Sequence, residues 1–205
     1  MTDRFAITTA EQLAAAYEAP HPRFIAKVTD RLEATSCAFI AAAPFCILAT
    51  AGRHGPHATP RGDAPGFVVP LDERTLALPD RRGNNRLDAL RDILDNPEVA
   101  LLFLIPGVGE TLRVHGAARI TADPALQARF AVEGKEPATV LLVAVREVYA
   151  HCAKAIMRSG LWAGRARPAG VPTNGELIAA HTAGGQIDAA RYEAEYQARI
   201  KAQMY

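Results

Sequence analysis

The chain has 205 residues, 49% hydrophobic and 22% charged, and its 23 basic side chains against 22 acidic ones leave a net charge of +1. So even a balance excludes a global field of the kind that draws nucleic acid, and any anion binding must be local. The longest apolar stretches, residues 99–106 and 138–145, are strand-sized and fall short of the ~20 residues that a membrane-spanning helix needs.

Thr8-Thr9-Ala10-Glu11 fits a capping box and predicts a helix, with Leu13, Ala14 and Tyr17 at helical spacing and Pro20 and Pro22 closing it. A second helical pattern runs over residues 23–42, with Ile25, Val28, Leu32 and Phe39 as its expected buried side and Pro44 as its end. The period then changes. Residues 45–50 read as a buried strand, Gly52 to Pro56 as a turn and residues 57–63 as the returning strand. Pro65-Gly66 breaks the pattern, residues 67–69 resume it, Asp72-Glu73 turns, and residues 75–78 lead into Pro79-Asp80-Arg81-Arg82-Gly83-Asn84-Asn85-Arg86.

That loop crowds arginines beside Gly83, Asn84 and Asn85, residues that tolerate a tight or left-handed backbone, and it feeds a helix N-terminus. It is built like a phosphate cradle. In the helix that follows, Leu87, Leu90, Ile93 and Leu94 share one face, and Asp88, Arg91, Asp92 and Asp95 share the other. Strands are expected over 99–105, 111–120 and 139–149, with a helix opened by Asp123-Pro124 and a short one over 151–157. Strands joined by turns favour an antiparallel sheet or barrel over a parallel one. After Trp162 a Gly/Pro-rich arm precedes two helical patterns, 176–182 and 187–204; the last carries Ile187, Ala190, Ala194, Ala198 and Ile200, a stripe too weak to fold alone and expected to dock on the barrel or on a partner subunit.

Cys37, Cys46 and Cys152 include no close pair, which points away from a disulfide framework and toward a reducing compartment. With no evident signal peptide, the cytoplasm is the expected location. His54 and His57 match metal spacing only loosely, and no metal site is expected. Cys152 beside His151 is expected to be a small buried side chain.

The succession Phe45, Leu48-Ala49-Thr50, Gly52, Gly55, Pro60-Arg61-Gly62-Asp63, then Asn84-Asn85-Arg86, Asn96-Pro97, Val99 and Leu112, Val114, Gly116, Ala118 resembles the pyridoxamine 5'-phosphate oxidase-like family of FMN-binding split barrels. Tyr149-Ala150-His151-Cys152-Ala153-Lys154-Ala155, Arg158-Ser159 and Leu161-Trp162 resemble one branch of it, and the likeness spans residues 36–165. The resemblance implies an α+β fold: a six-stranded antiparallel split β-barrel over residues 45–165, flanked by N-terminal helices over 1–44 and a C-terminal arm and helices over 166–205. It also implies a homodimer with FMN at the subunit interface.

By the same resemblance Arg61 and Arg86 hold the FMN phosphate, with Asn84 and Asn85 as neighbouring donors and Asp63 in the same set. Guanidinium groups suit phosphate through paired, charge-assisted hydrogen bonds. The plainer alternative is that these arginines pair with Asp63, Asp80, Asp88 and Asp92 on a solvated surface. Thr111 and Arg113 are implied to approach the flavin from the partner chain, or else form an ordinary strand face. Lys154, Ser159 and Trp162 are implied to reach the partner's flavin, although a lone tryptophan more often packs in a core or interface.

The implied activity is FMN-dependent oxidoreduction of a small molecule, with no acid or base nominated. Residues 163–168 lack the arginine/histidine motif by which true pyridoxamine phosphate oxidases hold substrate phosphate, so vitamin B6 oxidation is not expected. A deazaflavin or haem in the same barrel, or a non-catalytic flavin-binding or regulatory dimer, are the alternatives.

Overall fold

The structure, a computed structural model, describes residues 3–182 and 187–202. Seven antiparallel strands form its sheet: β1 (Phe45–Gly52), β2 (Gly55–Gly62), β3 (Val69–Asp72), β4 (Thr75–Asp80), β5 (Glu98–Leu104), β6 (Thr111–Thr121) and β7 (Thr139–His151). Their spatial order is β2-β1-β5-β6-β7-β4-β3. The expected six strands are therefore seven, because the short run beyond Pro65-Gly66 pairs with β4 as a strand in its own right. Nor is the barrel closed, since no ladder joins the edge strands β2 and β3 among the described residues.

Period-two alternation sets the core. Cys46 and Leu48 from β1, Val99, Leu101 and Phe103 from β5, Leu112 and Val114 from β6, and Leu141 and Val143 from β7 are buried in one cluster. Register rows cross the sheet; one runs Arg61–Cys46–Phe103–Leu112–Ala150 and the next Ile47–Leu102–Arg113–Tyr149. Between His115 and Gly116 the β6–β7 register slips by a bulge. A Cβ on Gly116 would lie 2.2 Å from the Ala144 carbonyl oxygen, so only glycine allows that approach.

The N-terminal helices differ from the sequence pattern. Helix α1 (Ala10–Ala15) is capped one residue later than expected, by Thr9 with Gln12 as its reciprocal partner, and buries nothing. The single pattern over 23–42 is two helices, α2 (Pro22–Ala26) and α3 (Ala34–Ala42), and Pro22 starts the first instead of closing α1. Between them Thr29 pairs with Val148 of β7 through backbone hydrogen bonds of 2.8 and 3.0 Å, a long-range attachment that outweighs helix continuity. Ile25 and Val28 are consequently exposed, while Leu32 and Ile40 are buried.

Helix α4 (Asp88–Asp95) packs on β1, and α5 (Pro124–Arg129) starts on an Asp123 cap. Helix α6 (Lys154–Ser159) begins three residues after the expected start at 151, because β7 extends to His151. Cys152 lies just beyond the last β6–β7 pair, Thr111 with His151, and is exposed instead of buried. Helix α7 (Asn174–His181), capped by Thr173 and Glu176, packs against α8 (Ala189–Ala202). The inner side of α8 carries Ala189, Tyr192, Glu193 and Tyr196, not the alanine stripe, and Met204 lies outside the described residues. No helix among the described residues is long and apolar enough to cross a membrane.

Candidate functional site

Arg61 stands on the inward row of β2, opposite Cys46, two residues before Asp63. Its Nη1 donates to Asp80 at the end of β4, and the two side chains are 17% and 14% exposed. Asp63 accepts from Arg81 Nε at 2.6 Å, and Arg81 Nη1 donates to the Phe130 carbonyl at 2.6 Å. Two crossed ion pairs thus tie β2 to β4 at the seam where the sheet stays open. At that seam Arg61 Nε is enclosed and has no acceptor among the described residues. Burial pushes the facing Cys46 thiol up to about 12 against the opposing charge of Arg61, which makes it an inert core group.

The loop over 81–87 uses left-handed backbone twice, at Asn85 (φ 59°) and Leu87 (φ 60°). Asn84 Oδ1 accepts the Arg86 amide at 3.0 Å, and Arg86 Nε donates to Asp88 at 2.9 Å while its side chain stays 71% exposed. Leu87 supplies α4 with no side-chain cap. The helix is fixed further along. Asp92 Oδ2 accepts from Thr50 Oγ1 and from His57 Nδ1, both at 2.7 Å, and the Thr50 bond, followed by the His57 bond, holds the carboxyl below its ordinary range. Sequence reasoning put Asp92 on the solvent face and missed this anchor. Its signal was the polar Thr50 on the inward row of β1, and Gly52, where a Cβ would sit 2.4 Å from Asp92 Oδ1. Leu87 and Leu94, expected inside, are exposed because the helix turns Ala89, Asp92 and Ile93 to the sheet.

Thr111 and Arg113 occupy the face of β6 away from the core. Thr111 is buried opposite His151; Arg113 Nη1 donates to the Tyr149 hydroxyl at 2.9 Å. Trp162 is half-buried and donates Nε1–H to the Val108 carbonyl at 2.7 Å, in the turn before β6. Ala153, one residue before Lys154, lies against Gly109 of that same turn, and Ser159 Oγ donates to the Ile156 carbonyl at 3.0 Å. Arg61 and Asp63 therefore share the seam; Asn84, Asn85 and Arg86 share one loop; Thr111 and Arg113 lie at the start of β6, Trp162 bonds the turn before it, and Lys154 and Ser159 belong to the helix that follows β7. Within one chain Arg61 on β2 and Arg113 on β6 stand three positions apart in the strand order and on opposite faces of the sheet.

The family model described as pyridoxamine 5'-phosphate oxidase matches residues 32–152, more than half of the chain. Comparison with curated proteins found no match. Similar solved structures include a single-residue variant of HupZ from Group A Streptococcus, at 17% identity over 58% of this chain and 99% of that one, with a TM-score of 0.49. General Stress Protein 26 from Bacillus anthracis aligns at 18% identity over 55% and 88% of the two chains (TM-score 0.43). An FAD-binding protein from Mesorhizobium loti aligns at 19% identity over 60% and 96% (TM-score 0.41).

Proposed function

Since the chain belongs to the pyridoxamine 5'-phosphate oxidase family, we propose that it is a flavoprotein that holds FMN at the interface of a homodimer and acts as an oxidoreductase on a small molecule. The observation that carries this reading is Arg61. Its guanidinium is fixed by Asp80, yet its enclosed Nε lacks an acceptor. A buried donor left unpaired costs ~1–3 kcal/mol, and a phosphate oxygen would remove that cost. The residues present fit the group: besides Arg61, the exposed loop offers Arg86, Asn84 and Asn85, and the charge there is cationic.

When bound, FMN would supply hydride or electron transfer through its ring. The chain's own part is to grip the phosphate through Arg61 and Arg86, with Asp80 and Asp63 keeping the seam arginines oriented. Asp92 holds α4, and with it the phosphate loop, against β1 and β2 through Thr50 and His57. Thr111, Arg113, Lys154, Ser159 and Trp162 would come from the partner subunit. Their separation from Arg61 within one chain supports a site shared between two copies. Vitamin B6 oxidation is not part of the proposal.

The test is to release the ligand from purified protein and weigh it. FMN is the expected mass, and a deazaflavin or haem would overturn the cofactor reading. Flavin that nicotinamide nucleotides cannot reduce and no acceptor reoxidises would overturn the enzyme reading, leaving a flavin-binding dimer.

A further inference from the structure

Most arginines of the barrel carry an acidic partner: Arg53 has Asp95, Arg61 has Asp80, Arg81 has Asp63, Arg86 has Asp88, and Arg146 has Glu98. Arg113 does not. Among the described residues its guanidinium meets a phenol, donating to Tyr149 Oη at 2.9 Å with Cζ 5.4 Å from the ring centroid. Lys27 approaches the same ring, its Nζ 5.9 Å from the centroid and donating to the Ala150 carbonyl, and it too lacks a carboxylate partner among the described residues. The backbone pairing of Thr29 with Val148 holds Lys27 in reach, which gives the otherwise lightly attached N-terminal segment a place in this cluster.

Two histidines complete the surround. The His115 ring meets Tyr149 edge-on at 5.7 Å, and the His151 ring lies 5.3 Å away at a tilt. The nearby carboxylate, Glu147, is engaged by His115 Nδ1 at 3.2 Å. His151 Nε2 is enclosed and has no partner among the described residues. Burial first, then the charges of Arg113, Lys27 and His115, depress the His151 pKa.

We infer that Lys27, Arg113 and His151, set around the Tyr149 ring, form an anion-recognition site that seats the carboxylate or phosphate group of the small molecule on which the flavin would act. The cations are aligned by an aromatic ring instead of being neutralised by a carboxylate, so they keep donors for an incoming oxyanion. His151 Nε2, protonated on binding, would supply a further donor. The inference rests on the flavoprotein reading for its substrate, not for the site itself.

The test follows His151 by histidine ring NMR while the full-length protein is titrated with benzoate, with inorganic phosphate, or with chloride at matched ionic strength. An upward shift of the His151 midpoint with benzoate or phosphate but not with chloride is expected, and the more effective of the two identifies the class of headgroup. Arg113→Met should lower the affinity for that anion roughly 10- to 100-fold. Lys27→Met, on a different segment, should also lower it, with circular dichroism verifying the fold of both. No anion-specific shift, or an unchanged affinity in both variants, overturns the inference. If saturating FMN abolishes the shift, the cluster serves the cofactor phosphate, and the inference falls while the flavin reading stands. A protein that takes up no flavin yet gives the shift keeps the anion site and overturns the flavin reading.

Discussion

In the proposed site Arg61 and Arg86 would hold one phosphate, but they differ in what else they hold. The Arg86 pair with Asp88 is open to solvent, and such pairs are worth about 0–1 kcal/mol. Arg86→Ala should therefore weaken flavin binding by about 1.5–3 kcal/mol while leaving the melting temperature of flavin-free protein almost unchanged. Arg61→Ala should lower both, because Asp80 is left in the seam without its partner, at a cost of about 1–3 kcal/mol. Flavin titration beside thermal melts of both variants separates the roles; equal melting losses would contradict the difference in burial. His151 yields a pH prediction. Burial and the charge of Arg113 lower its pKa below 6.5 in the folded state, so just below that value the unfolded chain binds more protons. Stability should then rise with pH across that window and level off above it. Denaturant melts of wild type and His151→Gln compare the slopes, and an equal slope in both would assign the pH dependence to other groups. The residue types at these positions were legible in the sequence. Their pairing with Asp63, Asp80 and Asp88 was the plainer alternative that the sequence held open, but which arginine takes which aspartate was not legible, because Asp80 reaches Arg61 only when β4 and β2 meet at the seam.

At the scale of elements, legibility followed how local the deciding contact is. The β1–β2 hairpin and α5 were readable because a Gly52/Gly55 turn and an Asp123-Pro124 start act within a few residues. The break between α2 and α3 was not, since it depends on a strand more than a hundred residues away. Helix α4 shows the same physics in rotation. A pattern of leucines predicted its inner face, but the surface it meets presents Thr50 and His57, so the helix turned Asp92 toward them. The β6 bulge is another long-range device. Gly116→Ala would drive a methyl group into the Ala144 carbonyl, and because the clash is with backbone it should destabilise by about 1–3 kcal/mol or more. Urea melts measure this, and a variant as stable as wild type would mean that β7 can move aside.

For the whole molecule the open question is what covers the second face of the sheet. Ile47 and Ala49 of β1 and Ala100, Leu102 and Leu104 of β5 are half-buried on the side away from the core, and the row Ile47–Leu102–Arg113–Tyr149 joins this apolar patch to the anion cluster. A second copy seated there would cover the leucines and carry Thr111 and Arg113 toward the neighbour's flavin, the arrangement that the proposed shared site requires. Leu102→Asp tests it. The substitution places a charge at the centre of the patch, where desolvating it against a partner is costly, but leaves it in water if the chain stands alone. Sedimentation should show wild type as a dimer and the variant as a monomer, with far-UV circular dichroism unchanged and flavin retention lost together with the dimer. A monomeric variant that still held FMN would confine the cofactor to one chain, and the residues around Trp162 would then have no part in binding it.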